Sequence, residues 1–332
     1  MIRFLSSRLM GMVIVLFLVT LFTFIIFFVL SADPAVQICG KNCTPERIDQ
    51  IRENLGLNQP FWTQFWTYVS GLFVGRTFMV AGSEVACAAP CLGYSFQTSQ
   101  LVGDMILQRL PVTITIALGA AVLWLLSGLI AGVLSAVKEG KFLDRFFAGL
   151  TLGAMSIPNY VLALVLQFVL VVALGWLPFP QAVRFSADPV QWFLNFLMPW
   201  IVLAIGYSAT YTRLTRANVI DTLQENFVRT ARAKGLKPSL VWRRHALRPA
   251  LTPIVTMFGM DVAGLLGGAV ITESVFGLNG VGKLTADSIP ANDQPVIMAV
   301  TLLSAFFVIV GNVVVDVLYT AIDPRVRTAA RA

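Results

Sequence analysis

Histidine is almost missing from this chain: His245 is the only one among 332 residues. Charge is also scarce, with Asp, Glu, Lys and Arg making up 12% of the sequence. Cysteine occurs only at Cys39, Cys43, Cys87 and Cys91, and never inside a long apolar run. These shortages exclude classes of function. A histidine-based zinc or catalytic centre has no residues to build it, and no nucleophile stands in a visible pairing with a base.

Apolar residues are abundant, at 57% of the chain with a mean hydropathy of +0.79. That is the composition of a membrane protein. Apolar segments at about 9–30, 106–136, 146–174, 195–212, 250–272 and 296–320 can each cross roughly 30 Å of hydrocarbon as a helix, the fourth being the shortest. Arg3 and Arg8 before the first segment, and Leu30-Ser-Ala32 after it, resemble a signal peptide. Its run of about 22 apolar residues is too long for one, and reads as a retained anchor.

The net charge of +7 comes from 24 Lys+Arg against 17 Asp+Glu. The basic residues sit in short loops, not on one soluble face, which argues against nucleic acid as a partner. They are unevenly placed. Residues 213–249 hold Arg213, Arg216, Arg229, Arg232, Lys234, Lys237, Arg243, Arg244 and Arg248 against Asp221 and Glu225; Lys138, Lys141 and Arg145 lie in 138–145, and Arg325, Arg327 and Arg331 in the tail. Residues 175–194 and 273–295 hold only Arg184 and Lys283. Six spans with both termini in the cytoplasm satisfy this asymmetry.

Residues 31–105 then form a large external loop. Phe61, Trp62, Phe65, Trp66, Tyr68, Leu72 and Phe73 recur at helical spacing between Pro60 and the glycines Gly71 and Gly75. The pattern predicts an amphipathic helix, lying on the membrane or packed on the spans. All four cysteines fall in this loop as two C-x3-C pairs, a placement that favours disulfides in an oxidising compartment. Three connectivities are open, and a zinc or iron–sulfur site would need the thiolates kept reduced.

Residues 213–249 form a cytoplasmic segment whose centre, Asn226 to Pro238, is basic and helix-forming. Asp221 can cap a helix from Thr222, Leu223, Phe227 and Ala231 form one apolar stripe, Gly235 suits a stop, and Pro238 blocks continuation. Ala231 and Ala233 are small enough for a partner to approach closely. A solvated loop held by anionic lipid would also carry the charge, but does not explain the stripe or the stop.

Three further patterns bear on function. Gly277-Leu-Asn-Gly-Val-Gly282-Lys283 nearly spells a phosphate-binding loop, but Leu284 stands where Ser or Thr would hold Mg²⁺, and no strand precedes it. Gly128 and Gly132, Gly149 and Gly153, and Gly264 and Gly268 are G-x-x-x-G pairs that let helices approach closely in lipid or leave room in a pathway. Asp261, alone in the fifth span, must face water, a partner, the pathway, or a hydrogen-bonding helix. Asp316 and Tyr319, near the inner end of the sixth span, read as structural anchors.

The basic segment also resembles the coupling motif of ATP-binding-cassette importer permeases, of general form E-A-A-x3-G-x9-I-x-L-P. Ala231, Gly235 and Leu247 match in spacing. Arg229, Thr230, His245 and Arg248 depart from it and fit the version of the dipeptide/oligopeptide/nickel permeases, in Arg229-Thr-Ala-Arg-Ala-Lys-Gly-Leu236 and Arg244-His-Ala-Leu-Arg248. Ala32-Asp33-Pro34-Ala35, Leu55-Gly-Leu57 with Pro60, Glu273-Ser-Val-Phe276 with Gly280-Val-Gly282, Asp316-Val-Leu-Tyr319 and Asp323-Pro-Arg325-Val-Arg327 extend the similarity over nearly the whole chain. The family's G-D-L-G-x-S is split here by an insertion near 76–90, which the disulfides are expected to staple.

The resemblance implies an all-α polytopic protein of six transmembrane helices with the type I importer fold and a large extracytoplasmic loop after helix 1. Residues 1–332 would form one permease domain, with 31–105 as a cap and 213–249 as the coupling segment. Leu223, Glu225, Phe227, Arg229, Thr230, Ala231, Arg232, Ala233, Lys234, Gly235 and Leu236 would meet an ATPase, and Asp261 is the pathway candidate. The implied partners are a second homologous permease, two ATPase subunits, an extracytoplasmic solute-binding protein, the lipid bilayer of a bacterial inner membrane, and a peptide cargo. No cofactor is expected in this chain, since the ATPases would hold ATP and Mg²⁺. Nickel complexes and glutathione are alternative cargoes. An ion-driven secondary transporter is the rival class, and it requires paired intramembrane acids or inverted repeats.

Overall fold

A computed structural model describes residues 2–30, 35–36, 44–54, 56–80, 83–181, 183, 185–237 and 240–322. Five helices are long and apolar enough to cross a membrane: α1 (Ile2–Ile25, continued by a π-helical turn to Leu30), α4 (Val102–Val137), α7 (Pro189–Gln224), α9 (Leu247–Leu266) and α12 (Gln294–Ile322). The remaining apolar segment forms the pair α5 (Phe142–Ser156) and α6 (Asn159–Gln167, continued as π-helix to Ala173), bent by 95° as in a broken span or a re-entrant loop. The third apolar segment is therefore broken. Pro158 explains the break, because the residue before a proline is pushed out of the helical region, and Ile157 sits at φ −97°, ψ 120°.

The fourth span corrects the sequence reading: α7 is not short but 36 residues long. Asp188 accepts hydrogen bonds from the backbone N–H of Val190 and Gln191, capping a helix whose first residue is Pro189. Beyond the apolar run the helix continues through Thr215 and Val219, both buried.

The core is the α4–α7 interface. In lipid, helices associate by close packing more than by hydrophobic exclusion, so small residues decide how near they come. A Cβ on Gly119 would lie 2.1 Å from the Trp200 indole, one on Gly128 2.5 Å from Tyr211 Cβ, and one on Gly132 2.5 Å from Thr215 Cβ. Trp200 Nε1 also donates to the Thr115 carbonyl at 2.9 Å. The α9–α12 pair repeats the device, with Gly259 against Val315 and Gly311 against Ala263.

The external loop is not purely helical. α2 (Pro45–Asn54) and α3 (Phe61–Val74) are followed by an antiparallel hairpin, β1 (Arg76–Val80) and β2 (Ser83–Cys87), and by a two-residue pair, β3 (Tyr94–Ser95) and β4 (Gln100–Leu101). The hairpin is the predicted insertion, with Arg76 opposite Cys87. Gly75, at φ 82°, makes the turn from α3 into β1, where a Cβ would collide with the Cys87 carbonyl oxygen at 2.6 Å. The helix α3 is amphipathic and packs on the spans. Phe65 and Tyr68 are buried against Phe24, Met298 and Leu302, while Trp62 and Trp66 stay more than half exposed.

Candidate functional site

The basic end is built on α7. This helix runs through Asp221 and Thr222 without interruption, so Asp221 caps nothing there. The break comes at Glu225, whose ψ of 147° redirects the chain into a short separate helix, α8 (Asn226–Ala233). Glu225 supplies no side-chain cap. At the other end Gly235 adopts φ 75°, its N–H donating to the Arg232 carbonyl at 3.0 Å while Leu236 N–H donates to the Ala231 carbonyl at 3.4 Å. This paired closure with a left-handed glycine is a Schellman stop. The predicted end of the helix was right, but the predicted start near Thr222 was several residues too early, since the helix begins at Asn226.

The break also resets the helical phase, which changes the apolar stripe. Val228 and Ala231 are buried, packed with Val241 and against Leu223 and Leu236. Phe227 instead points outward and is 45% exposed. Thr230 and Lys234 follow it at three and seven residues along the same exposed side, and Arg229, Arg232 and Ala233 are exposed as well. Pro238 lies outside the described residues. A π-helical turn, Val241–Ala246, then leads directly into α9.

One tie at this end escaped the sequence reading. Arg216 of α7 grips Asp144 of α5 with two hydrogen bonds, Nε to Oδ1 at 2.7 Å and Nη2 to Oδ2 at 2.9 Å. Asp144 also accepts from Gly140 N–H at 2.9 Å and from the Ser135 hydroxyl of α4. Three spans are thus joined through one carboxylate. At the same end Arg8 of α1 approaches Asp316 of α12 at 3.1 Å, so Asp316 does anchor structure. The side chain of Tyr319 lies outside the described residues.

Deeper in the bundle, Asp261 of α9 accepts a hydrogen bond from the Tyr211 hydroxyl of α7 at 2.7 Å. The carboxyl is half-buried, so it is tied to a neighbouring helix while one side stays open. Trp124 of α4 stacks on Tyr207 at 4.5 Å and lies 6.3 Å from Tyr211, placing three helices around this point.

The phosphate-loop look-alike has a plain structural explanation. Glu273, in α10 (Val270–Val275), is fully buried and accepts from Thr113 Oγ1 at 2.8 Å and from the backbone N–H of Lys283 at 2.8 Å and of Ala269 at 3.3 Å. A Cβ on Gly280 would overlap that carboxylate at 2.3 Å, and one on Gly282 would meet the Val270 backbone at 2.6 Å. The glycines and the start of α11 (Val281–Ser288) do cradle a carboxyl group, and it is the protein's own side chain. Burial pushes the Glu273 carboxyl up, with these hydrogen bonds opposing.

Sequence comparison agrees with this architecture. Residues 1–117 match the N-terminal domain, and residues 128–328 the main domain, of the family described as the binding-protein-dependent transport system inner membrane component. The chain belongs to the ABC importer permeases. It is a multi-pass inner-membrane permease. It is 35% identical over 327 residues to the glutathione transport system permease protein GsiC of Escherichia coli K12 and to that of Shigella dysenteriae serotype 1, covering 98% of this chain and 99% of each relative. Inward-facing structures of the MetNI methionine ABC transporter share the fold at a TM-score of 0.53, with 17% identity over 67% of this chain and 97% of theirs.

At the opposite end of the permease, Cys87 and Cys91 form a disulfide beneath the hairpin. Cys39 and Cys43 lie outside the described residues. Strand β1, the segment that follows the bridged turn, α3 and the start of α12 line a cavity of about 360 Å³. Arg76 lies there between the Tyr68 and Phe78 rings, 5.2 and 4.9 Å from their centroids. Burial pushes the Tyr68 hydroxyl up to about 12, Arg76 opposing, and lowers the Arg76 guanidinium.

Proposed function

We propose that this permease imports short peptides or peptide-like zwitterions, glutathione among them, and that α8 is the lever through which partner ATPases move it. In this reading the basic end and both termini lie in the cytoplasm, which the distribution of Lys and Arg supports. A second homologous permease completes the pathway, two ATPase subunits bind beneath, and an extracytoplasmic solute-binding protein delivers cargo. The chain holds no catalytic site of its own, and ATP and Mg²⁺ are bound by the ATPases. Membership in the family sets aside the ion-driven rival.

The observation that carries the lever is the junction at Glu225. A short helix, closed by the Gly235 stop and seated through Val228 and Ala231 on Leu223 and Val241, is joined at Glu225 to a span packed tightly on α4. Coupling needs an element that moves as a unit, and a helix with a defined break at one end and a glycine stop at the other suits that task. Phe227, Thr230 and Lys234 offer the outward face to an ATPase groove, with Arg229 and Arg232 adding charge. The cargo assignment is supported by the relatives named for glutathione transport.

Uptake into vesicles holding the assembled complex tests the whole reading. Transport should require ATP and every companion subunit and be indifferent to a proton uncoupler; uptake that survives without the ATPases overturns it. Gly235→Val tests the lever. Space around Gly235 is open, so the substitution acts only by forcing a side chain into φ 75°. Transport-coupled ATP hydrolysis should fall about tenfold for an estimated 1–2 kcal/mol of strain, while insertion is retained. Unchanged coupling in the assembled complex counts against α8.

A further inference from the structure

The cavity at the cysteine end has a chemistry that the import cycle described above does not use. Its wall contains one half-buried cation, Arg76, one buried carboxylate, Asp293, and the buried side chain of Tyr68. Among the described residues, Arg76 Nε, Asp293 Oδ1 and Tyr68 Oη have no hydrogen-bond partner. Asp293 uses its other oxygen to accept from the Ser95 hydroxyl, which fixes the carboxylate on β3. All three atoms are shielded from water, an arrangement that costs about 1–3 kcal/mol each and that native proteins rarely leave standing. The rest of the lining is mixed: Phe24, Phe78, Tyr94 and Met298 supply apolar surface, and Glu53, Gln64, Gln97 and Asn292 supply polar groups.

From this constellation we propose that the cavity is a binding site for a small zwitterion carrying a free α-carboxylate and a free amino group. Arg76 receives the carboxylate, held in place by the rings on either side of it. Asp293 receives the ammonium. A polyanion meets Asp293 and Glu53 on the wall, and a simple cation meets Arg76, so only a molecule with both charges suits the site. At about 360 Å³ the cavity is near the lower end of ligand pockets, the size for an amino acid or dipeptide. Burial pushes the Asp293 carboxyl up, and an adjacent ammonium would bring it back down. The site depends on the inserted hairpin, because Arg76 is its first residue.

The test is calorimetric titration of the full chain with its companion permease in nanodiscs, without ATP or delivery protein. Glycylglycine is the probe, against N-acetylglycylglycine and glycylglycinamide, which each lack one charge. Glycylglycine should bind, and either capped form should bind at least tenfold more weakly. Arg76→Gln and Asp293→Asn should each weaken glycylglycine tenfold or more, with the capped ligands providing the same contrast on unaltered protein. Gly235→Val should leave this binding unchanged, which separates the site from the coupling lever. Equal binding of the capped and free forms, no binding by the native assembly, or full binding by Arg76→Gln overturns the proposal.

Discussion

Two helices carry the same G-x-x-x-G spacing and put it to opposite uses. On α4, Gly128 and Gly132 are closed off by α7, with no room for a single added carbon. On α5, Gly149 and Gly153 face open space, with nothing within 4 Å of where a Cβ would stand. The facing helix, not the motif, decides whether small residues become a seam. It also decides how each span is held. The α4–α7 contact is a continuous packed interface, whereas α5 is fastened near its start by the Asp144–Arg216 pair.

The largest effect should come from the sealed pair. Gly132→Val forces branched atoms into Thr215 and the Thr212 carbonyl, and should destabilise the chain by about 3 kcal/mol, read as a lowered melting temperature in nanodiscs. Next is Arg216→Ala, which leaves Asp144 with only Ser135 and Gly140 as donors. With the Arg216 side chain 35% exposed, screening reduces the expected cost to about 1–2 kcal/mol. A double-mutant cycle with Asp144→Asn should recover most of that as coupling, and purely additive losses would show the pair to be incidental. The smallest effect belongs to Gly149→Ala, within about 0.5 kcal/mol for the single chain. If Gly149→Ala melted as early as Gly132→Ala, the contrast between sealed and open faces would be wrong.

Much of this was legible beforehand, for identifiable reasons. Hydropathy located every span because lipid demands long apolar runs, and the unequal Lys and Arg content marked one end as distinct. The glycine stop at Gly235 was readable because few residues tolerate its backbone angle. The length of α7 was not, because hydropathy loses a helix where it leaves the apolar layer, and Thr212 to Gln224 is polar in composition. The outward turn of Phe227 was hidden for a related reason: a stripe assumes unbroken phase, and Glu225 breaks it. The hairpin did leave a trace, in Arg76-Thr-Phe-Met-Val80 and Ser83-Glu-Val-Ala-Cys87, strand-like runs separated by two residues. Pairings such as Asp144 with Arg216, or Arg76 and Asp293 around one cavity, join residues far apart along the chain. No local pattern announces them.

The uninterrupted course of α7 past Tyr211 has a mechanical meaning. From Tyr211 to Gln224 there is no proline and no hinge, so about 20 Å of rod joins the intramembrane acid to the bend at Glu225. Swinging the rod by roughly 5° about its inner end would carry the Tyr211 hydroxyl close to 2 Å, enough to undo its grip on Asp261. A change at the foot of the shaft would then be felt as a hydroxyl letting go of a carboxylate halfway through the bilayer.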